Sequence, residues 1–225
     1  MTLYLLPNLL WLGGDHRDFL PPVVDKIVAS LDGLIAESDS GGRRFLSRFR
    51  QDARSVPIAL LREKVDFLME PLLAGQSWGV VSDAGLPCVA DPGSQLVALA
   101  RRRGVEVQAF AGPSAVTIAL MLSGLYSQSF SFHGYIAKDP EKRQKELLEW
   151  EKANGVQIFI EAPHRNRHTF EACLKLLNRD TKLCVASNLT APDQFVETRS
   201  IKDWETLALP KEPTIFLFSS RIHRI

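Results

Sequence analysis

The chain has 225 residues, 45% of them hydrophobic and 24% charged. Disordered chains carry fewer apolar residues and more net charge, so this composition belongs to a folded protein that buries roughly 70% of its unfolded surface. With 27 Lys plus Arg against 26 Asp plus Glu, overall charge argues for neither a nucleic-acid nor a membrane partner, and only local clustering could.

Apolar runs alternate with amphipathic segments along the whole chain. A strand at Leu3–Leu6 leads to a helix at Pro22–Leu31, a strand at Leu34–Glu37 and helices at Arg43–Arg50 and Glu63–Leu73. A strand at Trp78–Ser82, a helix at Pro92–Arg103 and a strand at Val105–Phe110 follow, then a helix at Pro113–Leu122. Beyond it come strands at Ser129–Ile136, Val156–Glu161, Lys182–Ser187 and Thr214–Ser219. Helices at Glu141–Glu151 and Arg165–Asn178 and a short one at Ile201–Leu207 lie among them. Strand–helix–strand alternation of this length predicts an α/β fold. A mostly parallel N-terminal domain (1–112) is expected, then a C-terminal domain (113–225) with a mixed sheet and a hairpin-like tail. No linker separates the halves, so the boundary is expected to be tight and falls near Gly112–Pro113, where the first βα series ends.

The cysteines, Cys88, Cys173 and Cys184, form no CxxC or Cys/His spacing. That argues against structural zinc and a disulfide framework, and no metal is expected. The apolar N-terminus has no basic leader and is interrupted by Pro7 and Asn8, and no run approaches the ~20 residues of a membrane span. A soluble, cytoplasmic protein is expected.

Three strand ends carry the chemistry. Val80–Gly93 reads VVSDAGLPCVADPG, an apolar strand running into a glycine- and proline-rich loop. The ends of parallel strands are where open α/β sheets bind ligands, and glycine lets backbone approach them closely. Asp91-Pro92 reads first as a helix cap and first helical residue, with ligand contact as the alternative. Asp83 is harder to read as a cap, because more loop follows it. Neither G-x-G-x-x-G nor Walker A is present. A second turn, Gly112-Pro113-Ser114-Ala115, joins a strand to a helix N-terminus, where Ser114 suits a cap and a ligand contact equally. The third, Glu161-Ala162-Pro163-His164-Arg165, puts a carboxylate, an imidazole and a guanidinium after a strand. That set suits anion or sugar recognition, or starts the next helix.

Together the blocks Ser82–Pro87, Asp91–Gly93, Gly112–Ala115, Ser123–Leu125 and Glu161–Arg165 resemble those of the tetrapyrrole methylase-like superfamily of S-adenosylmethionine-dependent methyltransferases. Within it the chain is similar to the ribosomal RNA small subunit methyltransferase I family, which methylates a cytidine 2′-hydroxyl in 16S rRNA. The resemblance implies a two-domain fold with S-adenosylmethionine in the cleft between the domains. Leu86, Val89, Asp91, Ser114, Ala115, Glu161, Ala162, Pro213 and Thr214 would surround it. It also implies a homodimer, and an rRNA acceptor. A small-molecule acceptor such as a tetrapyrrole is the rival, as is a cofactor-binding protein that has lost catalysis.

The departures fall largely on the substrate side. The family's opening G-N-L-x-D loop is replaced by Pro7-Asn8 and then Gly13-Gly14-Asp15. Its A-E-D-T-R becomes Ala36-Glu37-Ser38-Asp39-Ser40, and its K-G-E becomes Lys211-Glu212-Pro213. The sequence stops just past Thr214–Ser219, where the family carries a further segment.

Methyl transfer needs mainly in-line positioning, and a hydroxyl acceptor gains from a general base. Glu37, Asp83 and His164 are the candidates, though each also suits an ordinary strand-end, turn or helix-start role. Arg43, Arg44, Arg48, Arg50 and Arg54 cluster with only Asp52 opposing them, which fits either a phosphate-binding surface or a solvated helix face. Arg43, Arg44, Arg48 and Arg165 are the candidate contacts to RNA.

Overall fold

The computed structural model describes residues 1–205, 209 and 211–220. It divides into two compact units, Met1–Ser114 and Ala115–Ile225.

The first unit is a doubly wound parallel sheet. Its strands are β1 (Thr2–Leu5), β2 (Gly33–Ala36), β3 (Ile58–Leu60), β4 (Trp78–Val81) and β5 (Glu106–Ala109), in the order β3-β2-β4-β1-β5. All four pairings are parallel. The helices are a single turn α1 (His16–Phe19), then α2 (Val23–Ala29), α3 (Asp39–Ser47), α4 (Val65–Leu73) and α5 (Ser94–Arg102). Successive strand residues face opposite ways, so each strand feeds two cores. Leu3, Ile35 and Val80 pack with Leu68, Leu72, Leu96 and Ala100 of α4 and α5. Leu6, Leu34 and Val81 pack with Val24 and Val28 of α2 and Phe45 and Leu46 of α3. Burial on both faces is why β2 and β4 read as unbroken apolar runs.

The strand order has a functional consequence. From β1 the chain crosses over β4 to reach β2, and from β4 it later crosses β1 to reach β5. The connections leaving β1 and β4 therefore diverge, which opens a crevice at their carboxyl ends.

The second unit holds a mixed sheet in the order β6-β7-β10-β8-β9, built from β6 (Phe130–Tyr135), β7 (Val156–Glu161), β8 (Lys182–Ser187), β9 (Phe195–Ser200) and β10 (Thr214–Ser219). Only β6 and β7 pair in parallel. Helix α6 (Ala115–Ser123) packs on β8, β9 and β10, while α7 (Pro140–Lys152) and α8 (Asn166–Leu176) pack on each other. Phe159, Phe170, Phe216, Phe218 and Trp204 dominate the core. The rings of Phe159 and Phe216 stack at 5.1 Å.

The sequence reading places most elements within a few residues of these bounds and misses α1, β3 and β9. The short helix expected at Ile201–Leu207 is a 3-10 turn, Ile201–Asp203, and residues 206 and 207 lie outside the described residues. Among the described residues no helix is long and apolar enough to cross a membrane.

Candidate active site

In the first unit the connections after β1, β2 and β4 meet, and a buried asparagine ties two of them together. The Asn8 side-chain amide donates to the carbonyls of Ser82 (2.9 Å) and Asp83 (3.0 Å), and its oxygen accepts from Leu9 N–H (2.9 Å). Its backbone N–H donates to Gly85 O at 2.8 Å. With Asn8 only 2% exposed, these bonds are shielded from water and hold the Ser82–Gly93 loop against the chain leaving β1. Sequence reading noted Asn8 only as part of an altered loop. The carbonyls its side-chain amide holds lie more than seventy positions away, so no local pattern points to them.

The loop itself is unusually bent. Gly85 and Gly93 have φ of 72° and 127°, and Cys88 and Ala90 both stand at 66°. Left-handed backbone costs a residue with a side chain about 1 kcal/mol or more, and such strain concentrates where a ligand is bound. Because Gly93 adopts this φ, helix α5 begins at Ser94 with Gly93 as its cap. Asp91 is therefore not the helix cap that its Asp-Pro context suggests. Burial pushes its carboxyl up, a hydrogen bond from the Ser82 hydroxyl draws it down, and Asp83 raises it further.

Glu37, at the end of β2, stands beside this loop. Its Oε2 accepts from Asp83 N–H at 3.2 Å. Its Oε1 is buried and, among the described residues, has no hydrogen-bond partner. Burial raises the Glu37 carboxyl above the usual range, the Asp83 N–H opposes that shift, and the charges of Asp91 and Asp83 add to it. Three carboxylates thus share one corner. The Asp83 carboxylate accepts from Ser38 Oγ (3.1 Å), which itself caps α3 by accepting from Gly41 N–H (3.0 Å). Glycine at position 41 leaves room for this contact, since a Cβ there would displace the Asp83 carboxylate from its present position. The replaced segment Ser38-Asp39-Ser40 has become a helix cap that seats Asp83 at the positive end of α3.

The other sequence candidates in this unit divide clearly. Leu86, Val89 and Asp91 share the bent loop, with Val89 presenting apolar surface to solvent. Ser114 is buried just before α6. Arg43 donates to the carbonyls of Ala53 (3.0 Å) and Val56 (2.6 Å), which makes it a brace for the 53–56 loop. Arg50 pairs with Asp52 and donates to Val28 O and Leu31 O. Arg48 is half-buried and donates to Asn8 Oδ1 (3.1 Å) and Leu12 O (3.2 Å), while Arg44 is exposed.

In the second unit, Glu161 and Thr214 are register partners across β7 and β10, so two of the expected cofactor segments lie side by side. The Thr214 hydroxyl lies 2.7 Å from the Ser187 hydroxyl and accepts from the Asn166 amide. The Asn188 N–H donates to Pro213 O, which draws the loop after β8 to the start of β10. Glu161 is almost fully buried. Its Oε1 accepts from Ala162 N–H (2.7 Å) and the Arg165 guanidinium (Nε at 2.8 Å), and its Oε2 accepts from Thr169 Oγ1 (2.8 Å). Burial alone would raise this carboxyl, but those bonds outweigh it and hold Glu161 below its usual range. Arg165 is engaged with this same carboxylate. Ala115 opens α6, Ala162 precedes the 3-10 turn Pro163–Arg165, and His164 lies exposed on that turn. Glu37 and Asp83 thus come together, whereas His164 belongs to the other unit.

A family model described as Tetrapyrrole (Corrin/Porphyrin) Methylases matches residues 18–205. A Vibrio cholerae protein named Ribosomal RNA small subunit methyltransferase I is 34% identical over 197 residues, covering 87% of this chain and 67% of that protein. A Bacillus subtilis protein of the same name is 36% identical over 190 residues, covering 84% of this chain and 63% of its own length. The chain thus spans about two thirds of each of these relatives. Among solved structures, the methyltransferase CobJ shares the fold with a TM-score of 0.66, covering 100% of this chain and 96% of its own, at 16% identity. With a family match over most of its residues, the chain belongs to the tetrapyrrole methylases, a family of methyltransferases.

Proposed function

We propose that the protein transfers a methyl group from S-adenosylmethionine to a ribose 2′-hydroxyl of ribosomal RNA, with Glu37 accepting the hydroxyl proton. The observation that carries this reading is the buried Glu37 Oε1, which has no partner among the described residues beside a loop built for close approach. The cofactor supplies a methyl group on a sulfonium, already activated toward an oxygen nucleophile. The residues fit it. Asp91 offers a carboxylate that caps no helix and is crowded by like charge, which a cationic ligand relieves. Val89 offers apolar surface to a purine. Leu86, Val89, Asp91 and Ser114 would hold it in the first unit. Glu37 is held by the Asp83 N–H, and among the described residues its other oxygen has no partner, the arrangement a general base needs.

The test is transfer of labelled methyl from S-adenosylmethionine to small-subunit rRNA, with the label recovered on a ribose after nuclease digestion. Label on a tetrapyrrole and none on RNA would replace the acceptor. Cofactor binding without transfer to either would leave a protein that only binds it. Gly85→Val forces a branched side chain onto φ of 72° and is expected to abolish the heat of S-adenosylmethionine binding while circular dichroism stays native, as is Ala115→Leu. A wild type that gives no heat with the cofactor or its demethylated product sinks the enzyme reading.

A homodimer is part of the same proposal. Met121, Leu122, Tyr126, Phe130 and Tyr135 are exposed on α6, the segment after it and β6, more apolar surface than a solvated edge needs. Light scattering should give the mass of two chains, and a monomer at all concentrations would count against it. An rRNA acceptor places the protein in the cytoplasm.

A further inference from the structure

We propose that Arg44 and Arg48 form a clamp for one phosphodiester of the acceptor, tied through Asn8 to the loop that carries Asp83. This inference rests on the RNA reading above and names where the RNA backbone is held. The two arginines stand one turn apart on the α3 face, Arg48 being the residue that ends the helix. Five arginines cluster in this stretch, and the structure separates them by what their guanidinium groups do. Arg43 braces the 53–56 loop and lies near Asp39, and Arg50 is paired with Asp52. Among the described residues Arg44, Arg48 and Arg54 pair with no carboxylate, and of these only Arg44 and Arg48 stand on α3 and its end, Arg54 lying in the loop beyond.

Like charges one turn apart repel, and a half-buried guanidinium without an anion is costly. Burial and the neighbouring Arg44 both make the charged form of Arg48 harder to keep. A phosphodiester removes both penalties at once. It brings negative charge to the repelling pair, and its paired oxygens match the planar fork of an arginine. Arg48 is aimed rather than free, because Leu12 O and Asn8 Oδ1 take one donor each and leave the remaining N–H groups for a ligand.

The link through Asn8 gives the clamp its place in the reaction. The same side chain that accepts from Arg48 donates to the carbonyls of Ser82 and Asp83, and the Asp83 N–H holds Glu37. A phosphate on Arg44 and Arg48 is thus connected by three successive hydrogen bonds to the proposed base. Asn8 and Arg48 are positioning residues in this scheme, and Glu37 remains the group that touches the hydroxyl.

The experiment is fluorescence anisotropy of a labelled single-stranded RNA oligonucleotide over a range of salt, with S-adenosylmethionine binding followed separately by calorimetry. Arg44→Glu is the main variant, because Arg44 is exposed and the new carboxylate would pair with Arg48 from within the helix. It should lower RNA affinity about tenfold or more and flatten the salt dependence by about one unit. Cofactor affinity should stay at the wild-type value and the melting temperature should not fall. Arg48→Ala should give the same change in salt slope, and Arg48→Lys should recover the charge without the fork and so only part of the affinity. Wild-type affinity and slope in Arg44→Glu would overturn the clamp while leaving RNA as the acceptor. A wild type that binds no RNA would overturn the acceptor reading itself. Inorganic phosphate that displaces the RNA at constant ionic strength would mark a free-anion site and overturn the phosphodiester assignment.

Discussion

Replacing Arg165 with Ala is expected to cost about 3 kcal/mol and to lower the melting temperature by roughly 10 °C. The partner it leaves is Glu161, a carboxylate with no exposed side-chain surface, and the bonds from Thr169 and Ala162 cannot neutralise it. The loss should depend on pH with a definite sign. In the wild type the Glu161 carboxyl titrates below its usual range, so its contribution is present above the unfolded pKa and fades as pH falls through the folded one. Without Arg165, burial dominates and the folded pKa moves above the unfolded one. The variant then carries a penalty near neutral pH that acid relieves. The gap between the two melting temperatures should therefore narrow on acidification. A gap that stays constant with pH would mean that Arg165 acts through packing rather than through its charge. Glu161→Gln in the Arg165→Ala background should recover much of the stability, since a neutral amide is far cheaper to bury.

Glu37→Gln should lower kcat by about 10²–10³-fold while leaving S-adenosylmethionine affinity unchanged. It should not destabilise the fold, because the wild type keeps a raised carboxyl with one oxygen unpartnered among the described residues, a cost of about 1 kcal/mol or more. Glu37 favours folding most below its unfolded pKa, and that benefit is lost as pH rises through the higher folded value. Relative to the Gln variant, the wild type should lose stability across that same acidic window. The same shift sets the activity profile. A base held above the usual carboxylate range gives an acid limb in kcat at correspondingly higher pH. Asp91→Asn removes one of the charges that raise Glu37 and should move that limb toward lower pH at saturating cofactor. Retained kcat in Glu37→Gln, or a limb that ignores Asp91, would remove Glu37 as the base.

The parallel sheet was legible because β2 and β4 are buried on both faces and read as plain apolar runs. Strand β3 was not, since three residues after a proline carry no measurable period. Strand β9 left a weak signal: Phe195, Val196 and Thr198 alternate poorly with Glu197 and Arg199 because this edge is only half-buried. At the candidate site, the bent loop after β4 was visible as a glycine-rich strand end. Only the cap reading of Asp91 fails: Asp-Pro favours a cap, whereas the left-handed turn at Gly93 delays the helix. Left-handed geometry at Cys88 and Ala90 has no signature in residue type, since neither is a glycine or an asparagine. The arginine cluster showed the same boundary. Charge density announced it, but only the packing of α3 distinguishes Arg43, turned onto the 53–56 loop, from Arg44, turned to solvent.

Strand β10 is the last of the described strands in sequence and lies between β7 and β8. During synthesis the first unit has all five of its strands by Ala109, so its sheet can close while the rest of the chain is still being made. The second unit cannot do the same. Until Thr214–Ser219 emerges, β6 with β7 and β8 with β9 are separate ribbons, and the inner edges of β7 and β8 lie open with apolar sequences made for burial. The growing protein passes through a stage in which one half is native and the other presents two adhesive edges. Damage near the C-terminal strand would then appear first as lost yield in the cell, before any change in what the finished molecule binds.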